Sequence, residues 1–206
     1  MTTRRTILLR ETMIPTAVET FSTAFKDDDL YKYIVPDGNR RMEFLRNFFA
    51  FRIRYGMKFG EVQTTSARCE GVAIWIPFQN RKMTIPRILR SGGLSVMRAI
   101  DAGTRRKLAA IQNFAERTRK EILKPHWHLS PLAVHPDHQG KGVASVLIRS
   151  MLERLDKEQS ACLLETQTER NVAMYERFGF KVMHKELIPG SGVHHWVMWR
   201  ETARKA

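Results

Sequence analysis

Leu132-Ala133-Val134-His135-Pro136-Asp137-His138-Gln139-Gly140-Lys141-Gly142-Val143-Ala144-Ser145 is the stretch whose reading decides the fold. An apolar strand ends at Pro136, a turn with two glycines follows, and an amphipathic helix begins at Val143. The first backbone N–H groups of such a helix lack partners, and its dipole is positive there. The turn is therefore an anion site, suited to a pyrophosphate. Three nucleotide patterns compete for it. A Walker A loop needs Gly-x-x-x-x-Gly-Lys-Ser/Thr, which is absent. The dinucleotide fingerprint Gly-x-Gly-x-x-Gly/Ala is met only in part. Gly140-Lys141-Gly142-Val143-Ala144-Ser145 ends in Ser and comes late in the chain, although Glu165 follows at about the 20-residue spacing that pattern wants. The third pattern is Gln-x-x-Gly-x-Ala, from Gln139 through Gly142 to Ala144.

On both sides of this turn the periodicities alternate between strand and helix. Downstream, strands are expected over Trp127 to Val134, Ala161 to Glu165, Phe180 to Leu187 and His194 to Trp199, with helices over Val143 to Leu155 and Asn171 to Phe178. Upstream come a short strand from Thr6 to Arg10 and a helix from about Ile14 to Phe25. Asp27-Asp28-Asp29 makes a polar break, and a second helix from about Asn39 to Tyr55 puts Phe44, Leu45, Phe48 and Phe49 on one face. A β-hairpin over Lys58 to Pro77 turns at Arg68-Cys69-Glu70. Strands alternating with helices imply an α/β layer structure with at least one parallel strand pair.

The 206 residues, 43% hydrophobic and 27% charged, suffice for one sizeable core and point to a single domain. No apolar run approaches the roughly 18–20 residues that span a bilayer, and Ile7-Leu8-Leu9 is too short for the apolar segment of a signal peptide. Cys69 and Cys162 are too few for a disulfide framework. They read as free thiols in a reducing cytoplasm. The formal charge is +14 and the isoelectric point about 10.3. Eleven Lys or Arg fall between Arg81 and Lys120 against two acids, Asp101 and Glu116, in a largely helical segment broken at Gly92-Gly93. With no helix-turn-helix spacing, zinc module or aromatic-interleaved basic strand, this segment reads as a solvated helical face rather than a nucleic-acid site.

The turn does not stand alone. Asn171-Val172-Ala173-Met174-Tyr175-Glu176-Arg177-Phe178-Gly179-Phe180 lies a fitting distance downstream of Gln139 to Ala144. Together the two segments resemble the two signatures of the GCN5-related N-acetyltransferase (GNAT) superfamily. Pro136 to Gly142, Leu164-Glu165-Thr166, Arg170-Asn171, Tyr175-Glu176-Arg177 and Gly179-Phe180 resemble, more narrowly, the branch that contains puromycin N-acetyltransferase. The similarity is strong over about residues 125 to 200 and thin before. It implies a mixed α/β fold: a twisted six- or seven-stranded sheet flanked by helices and splayed between its fourth and fifth strands. Residues 1–206 would form one domain. Residues 1–124 would be its acceptor-side half, with a helical insertion at about 81–124, and residues 125–200 would bind acetyl-CoA.

The resemblance also implies roles. The backbone of Leu132, Ala133 and Val134 would pair with the pantetheine arm of acetyl-CoA. Gln139, Gly140, Lys141, Gly142, Val143 and Ala144 would hold its pyrophosphate, with Ser145 nearby, and Asn171 would contact the arm. Tyr175 resembles the family's general acid. The strand position where some members carry a basic carboxylate has Ser130 here, which leaves Glu165 acting through water, His128, water alone, or an amine that arrives neutral. The expected reaction is direct acetyl transfer to the amine of a small molecule, with acetyl-CoA as co-substrate and no metal. His126, His135, His138, His194 and His195 show no zinc-enzyme spacing. A non-catalytic acyl-CoA-binding module and a basic nucleic-acid-binding protein are the rival classes. The acceptor's identity and the oligomeric state are not legible.

Overall fold

The computed structural model describes residues 6–202. Its strands are β1 (Ile7–Leu8), β2 (Glu61–Thr64), β3 (Gly71–Pro77), β4 (His126–Val134), β5 (Ala161–Thr166), β6 (Lys181–Leu187) and β7 (His194–Arg200). They form one sheet in the order β1-β2-β3-β4-β5-β7-β6, in which only β4 and β5 run parallel. The helices are α1 (Ile14–Phe25), α2 (Asp29–Ile34), α3 (Gly38–Phe59), α4 (Ile85–Arg90), α5 (Gly93–Ala99), α6 (Ala102–Thr118), α7 (Val143–Lys157) and α8 (Glu169–Glu176). None is long and apolar enough to cross a membrane.

Short polar side chains begin several of these helices by accepting from backbone N–H groups that would otherwise lack partners. Asp37 accepts from Arg40 N at the start of α3, Asp101 from Thr104 N at α6, and Thr168 from Asn171 N at α8. The polar break at Asp27-Asp28-Asp29 is also a helix start. Asp28 Oδ1 accepts from Leu30 N at 3.0 Å and Tyr31 N at 3.3 Å, and it caps the short α2, which the periodicity did not show.

Successive side chains of a strand point to opposite faces. On β3, Val72, Ile74 and Ile76 join the core packed under α1 and α3. Ala73 and Trp75 join the core under α7 and α8. The same alternation sorts β5: Cys162 and Leu164 face α7 and α8, whereas Ala161 and Leu163 lie in a separate cluster with Val197 and Trp199 of β7. The sequence segment 81–124 supplies α4, α5 and α6. Its buried Val96 and Ile100 join the core of α1 and α3.

The parallel pairing of β4 with β5 ends at Leu129↔Leu164. Beyond that point β4 continues through Leu132, Ala133 and Val134, which pair only with β3. The sheet is thus splayed between its fourth and fifth strands.

The start of α7 lies close to β3 because position 71 has no side chain. A Cβ on Gly71 would lie 2.4 Å from Val143 Cγ1 and 3.0 Å from Leu147 Cδ1. Gly71→Ala is therefore expected to lower stability in urea unfolding by about 1–3 kcal/mol through overpacking. Gly38→Ala, where the nearest atom would be 3.8 Å away, serves as the control, and an equal response of the two would contradict the packing argument.

Candidate active site

A cavity of about 230 Å³ occupies the gap where β4 and β5 part. His128, Ser130 and Leu132 of β4 line it, with Glu165 and Thr166 of β5, Asn171 and Tyr175 of α8, and His195 of β7. Phe25, Asp28, Tyr31, Phe48 and Arg52 enclose it from α1 to α3, and Ile111 and Phe114 from α6. By strand alternation Glu165, His128 and His195 lie on the α1–α3 face of the sheet. Tyr175 belongs to the core on the other face. The cavity therefore passes through the splay and has an end on each face.

At its centre is a buried ionic cluster. Glu165 Oε2 accepts from Arg119 Nη1 at 2.8 Å and lies 3.5 Å from His128 Nε2, and Oε1 is 3.1 Å from His195 Nε2. His195 Nδ1 in turn meets Gln167 Nε2 at 3.3 Å. Burial alone would raise the Glu165 carboxyl. The Arg119 guanidinium, the His195 hydrogen bond and the nearby His128 outweigh it and hold the pKa at about 2. His128 is displaced the other way from its usual protonation: burial pushes it down to about 3, against the pull of Glu165. At neutral pH the carboxylate is thus ionised and the imidazole neutral.

Tyr175 is 7% exposed, and its ring meets Phe180 edge-on at 5.8 Å. Its hydroxyl has no hydrogen-bond partner among the described residues, and burial raises its pKa. The phenol keeps its proton at any physiological pH. Arg52 Nη2 donates to Ser130 O at 3.0 Å and Ser130 Oγ at 2.7 Å, so Ser130 orients an arginine on the cavity wall.

Beyond the open edge of β4, Gly140 and Gly142 both adopt positive φ, +72° and +77°, and a Cβ on either would meet nothing within 4 Å. The turn is held by its side chains: Gln139 Nε2 donates to Val134 O at 3.1 Å, and Lys141 Nζ to Asp137 O at 2.7 Å. The backbone N–H groups of residues 140 to 145 have no acceptor among the described residues, the first internal bond of α7 being Val146 N to Gly142 O. Gly142 provides no capping side chain. Gln139 to Ser145 thus form a concave turn of unpaired donors.

The structure brings Glu165, His128, Tyr175, Asn171 and Leu132 to one cavity and continues Leu132-Ala133-Val134 into the glycine turn. Arg119 and His195 were not legible as site residues. Arg119 reads as one more cation in a solvated basic face, yet it is 6% exposed and ion-paired to Glu165. His195 had one usable signal: His194 and His195 must point to opposite faces of a strand, and His195 is the buried one. Among the described residues no group of three or more His, Cys, Asp or Glu is arranged to hold a metal ion. Trp75 is wholly buried and, like Trp127, does not line the cavity.

Acid should weaken this cluster in two windows. Unfolded His128 takes up a proton below its usual 6.5, whereas the folded residue does not until about 3, so stability falls as pH drops through that interval. Glu165 adds stability that is complete above 4.5 and lost as pH falls toward about 2. The urea midpoint is expected to decline from about pH 7 to pH 5, and His128→Gln to flatten this decline. An unchanged midpoint over that range in the parent would contradict the assignment.

Comparison with known proteins agrees with this geometry. Residues 101–182 match the acetyltransferase (GNAT) domain model. Over 171 residues the chain is 26% identical to an uncharacterised N-acetyltransferase of Schizosaccharomyces pombe, covering 80% of this chain and 69% of that protein. A structure described as histone acetyltransferase HPA2 and related acetyltransferase, from Corynebacterium glutamicum, superposes with a TM-score of 0.71 at 22% identity, covering 98% of each chain. An arylalkylamine N-acetyltransferase 7 of the yellow fever mosquito gives 0.62 at 13% identity, covering 95% of this chain and 86% of that one. At those identities the solved structures speak for the fold alone. The domain match over residues 101–182 and the N-acetyltransferase relative mark the chain as an acyltransferase with a GNAT-type acetyltransferase domain, and enzymes with that domain use acetyl-CoA as co-substrate.

Proposed function

We propose that the chain transfers the acetyl group of acetyl-CoA directly to the amine of a small molecule. The observation that carries this reading is the cavity through the splay, where a neutral imidazole, an ionised carboxylate and a protonated phenol line one space. Residues 1–206 would act as one domain. The acceptor would enter from the side of residues 1–124, and acetyl-CoA would lie along 125–200. Free, buried Cys69 and Cys162 support a reducing compartment such as the cytoplasm. Neither thiol lines the cavity, and burial pushes Cys162 up to about 12, which favours direct attack over a cysteine intermediate.

The residues present fit the co-substrate. The unpaired amides of Gly140 to Ser145 would bind its pyrophosphate, and the open space over Gly140 and Gly142 is what a phosphate approaching the backbone requires. Leu132, Ala133 and Val134, free of β5, would pair with the pantetheine arm as an added strand does, and Asn171 would contact it from α8. Bound there, acetyl-CoA supplies a thioester carbonyl open to attack by nitrogen.

As the nitrogen–carbon bond forms and the carbon–sulfur bond breaks, one proton must leave the amine and another must reach the sulfur. Both oxygens of Glu165 are engaged, by Arg119 and His195, so we place the first proton on neutral His128, whose imidazolium the adjacent carboxylate would stabilise. Glu165 would then act through His128. Tyr175, protonated and without a hydrogen-bond partner among the described residues, would supply the second proton. Position rather than acidity selects it, because a phenol is a weaker acid than a thiol.

Thiol release from acetyl-CoA against a panel of primary amines tests the reading. Tyr175→Phe is expected to lower kcat by roughly 10²–10⁴-fold, the range of a lost general acid, with KM for acetyl-CoA changed less than about twofold. His128→Gln should lower kcat comparably. Acetyl-CoA binding with no turnover of any amine would instead favour a non-catalytic acyl-CoA-binding module.

A further inference from the structure

The end of the cavity away from Tyr175 is aromatic and carries one carboxylate that the chemistry above does not use. Tyr31 meets Phe25 at 5.6 Å and Phe48 at 6.0 Å between ring centroids, both edge-on, and all three rings line the cavity. Asp28 lines it beside them. Its Oδ1 is taken by the two backbone N–H groups of α2, but its Oδ2 has no hydrogen-bond or ion-pair partner among the described residues. Of the nearby cations, Lys32 pairs with Asp29 at 3.2 Å and reaches Asp28 only through space, Arg119 pairs with Glu165 and Glu116, and Arg52, hydrogen-bonded to the neutral Ser130, keeps its charge on the cavity wall.

Ring faces and a carboxylate oxygen together form a receptor for an organic cation, because the ring quadrupoles and the charge attract the same partner. We propose that Asp28 with Phe25, Tyr31 and Phe48 binds a second cationic group of the acceptor, so that the substrate is a primary amine joined by an apolar spacer to an ammonium-type group. The inference rests on the acetyl-transfer reading, which places the reacting amine at the Tyr175 end. Burial already raises the Asp28 carboxyl, so an unpaired charge is costly there and a bound cation would relieve it.

Asp28 also caps α2, and the test must spare that role. Asn and Ser cap as well as Asp does, so Asp28→Asn and Asp28→Ser remove the charge and keep the cap. The probes are a primary alkylamine ending in a trimethylammonium group and its neutral isostere ending in a tert-butyl group. In the parent, KM for the cationic probe is expected to be about tenfold or more below that of the isostere. Both variants should cut the preference below about threefold and leave kcat on the neutral probe within about twofold. A parent without the preference, or one that both variants retain, would overturn the proposal. If no amine releases thiol, the acetyl-transfer reading has failed, and calorimetric Kd values for the same probes on CoA-saturated protein decide the subsite separately. A cation preference lost in the variants upholds it, and equal affinities overturn it.

Discussion

A carboxylate buried under a sheet cannot stay ionised alone, and Glu165 is the constraint around which much of this molecule is arranged. Its charge is met by Arg119, which follows α6, and by His195 on β7 and His128 on β4. Each of these elements is held to the others partly through that group. The Arg119–Glu165 pair, with Phe114 packed edge-on against His195 at 5.3 Å, ties the end of the helical segment 81–124 to the sheet. The placement that shields the carboxylate also roofs the cavity.

The sheet's parting gives that cavity its shape. Four residue pairs hold β4 to β5, and then the strands separate, leaving one edge of β4 without a neighbour. Unpaired strand edges are ordinarily covered or blunted. Here the exposed edge runs directly into a turn whose amides are also unpaired, so a continuous line of backbone donors and acceptors is left open along one path. A ligand with an extended amide-bearing arm joined to a diphosphate would satisfy both halves of that path. This explains how two unremarkable local features become specific in combination.

The fold was largely legible because its signals are local. The Gln139 to Ala144 spacing, the alternation around it and the helical stripe of Val143 to Leu155 each depend on a few neighbouring residues, and the structure gives α7 as Val143–Lys157. The resemblance placed Tyr175 and Asn171 on a helix beside the fifth strand, where α8 carries them. What escaped depended on distant partners. Arg119 looks like any other cation of its run until Glu165, 46 positions later, is found within 2.8 Å. Asp28 looked like a break because a capping carboxylate and a loop carboxylate have the same letter. The helix α2 has six residues, too few to establish a period.

The segment 81–124 contributes two kinds of residue to the cavity: Ile111 and Phe114, which set its walls, and Arg119, which neutralises Glu165. A chimaera that exchanged the whole segment for that of a relative, in order to change what the pocket accepts, would exchange the carboxylate's counter-ion along with the wall. The exchangeable unit is therefore smaller than the segment. A graft that stops at the end of α6 changes Ile111 and Phe114 and keeps Arg119, and with it the charge that holds the protonation of the centre.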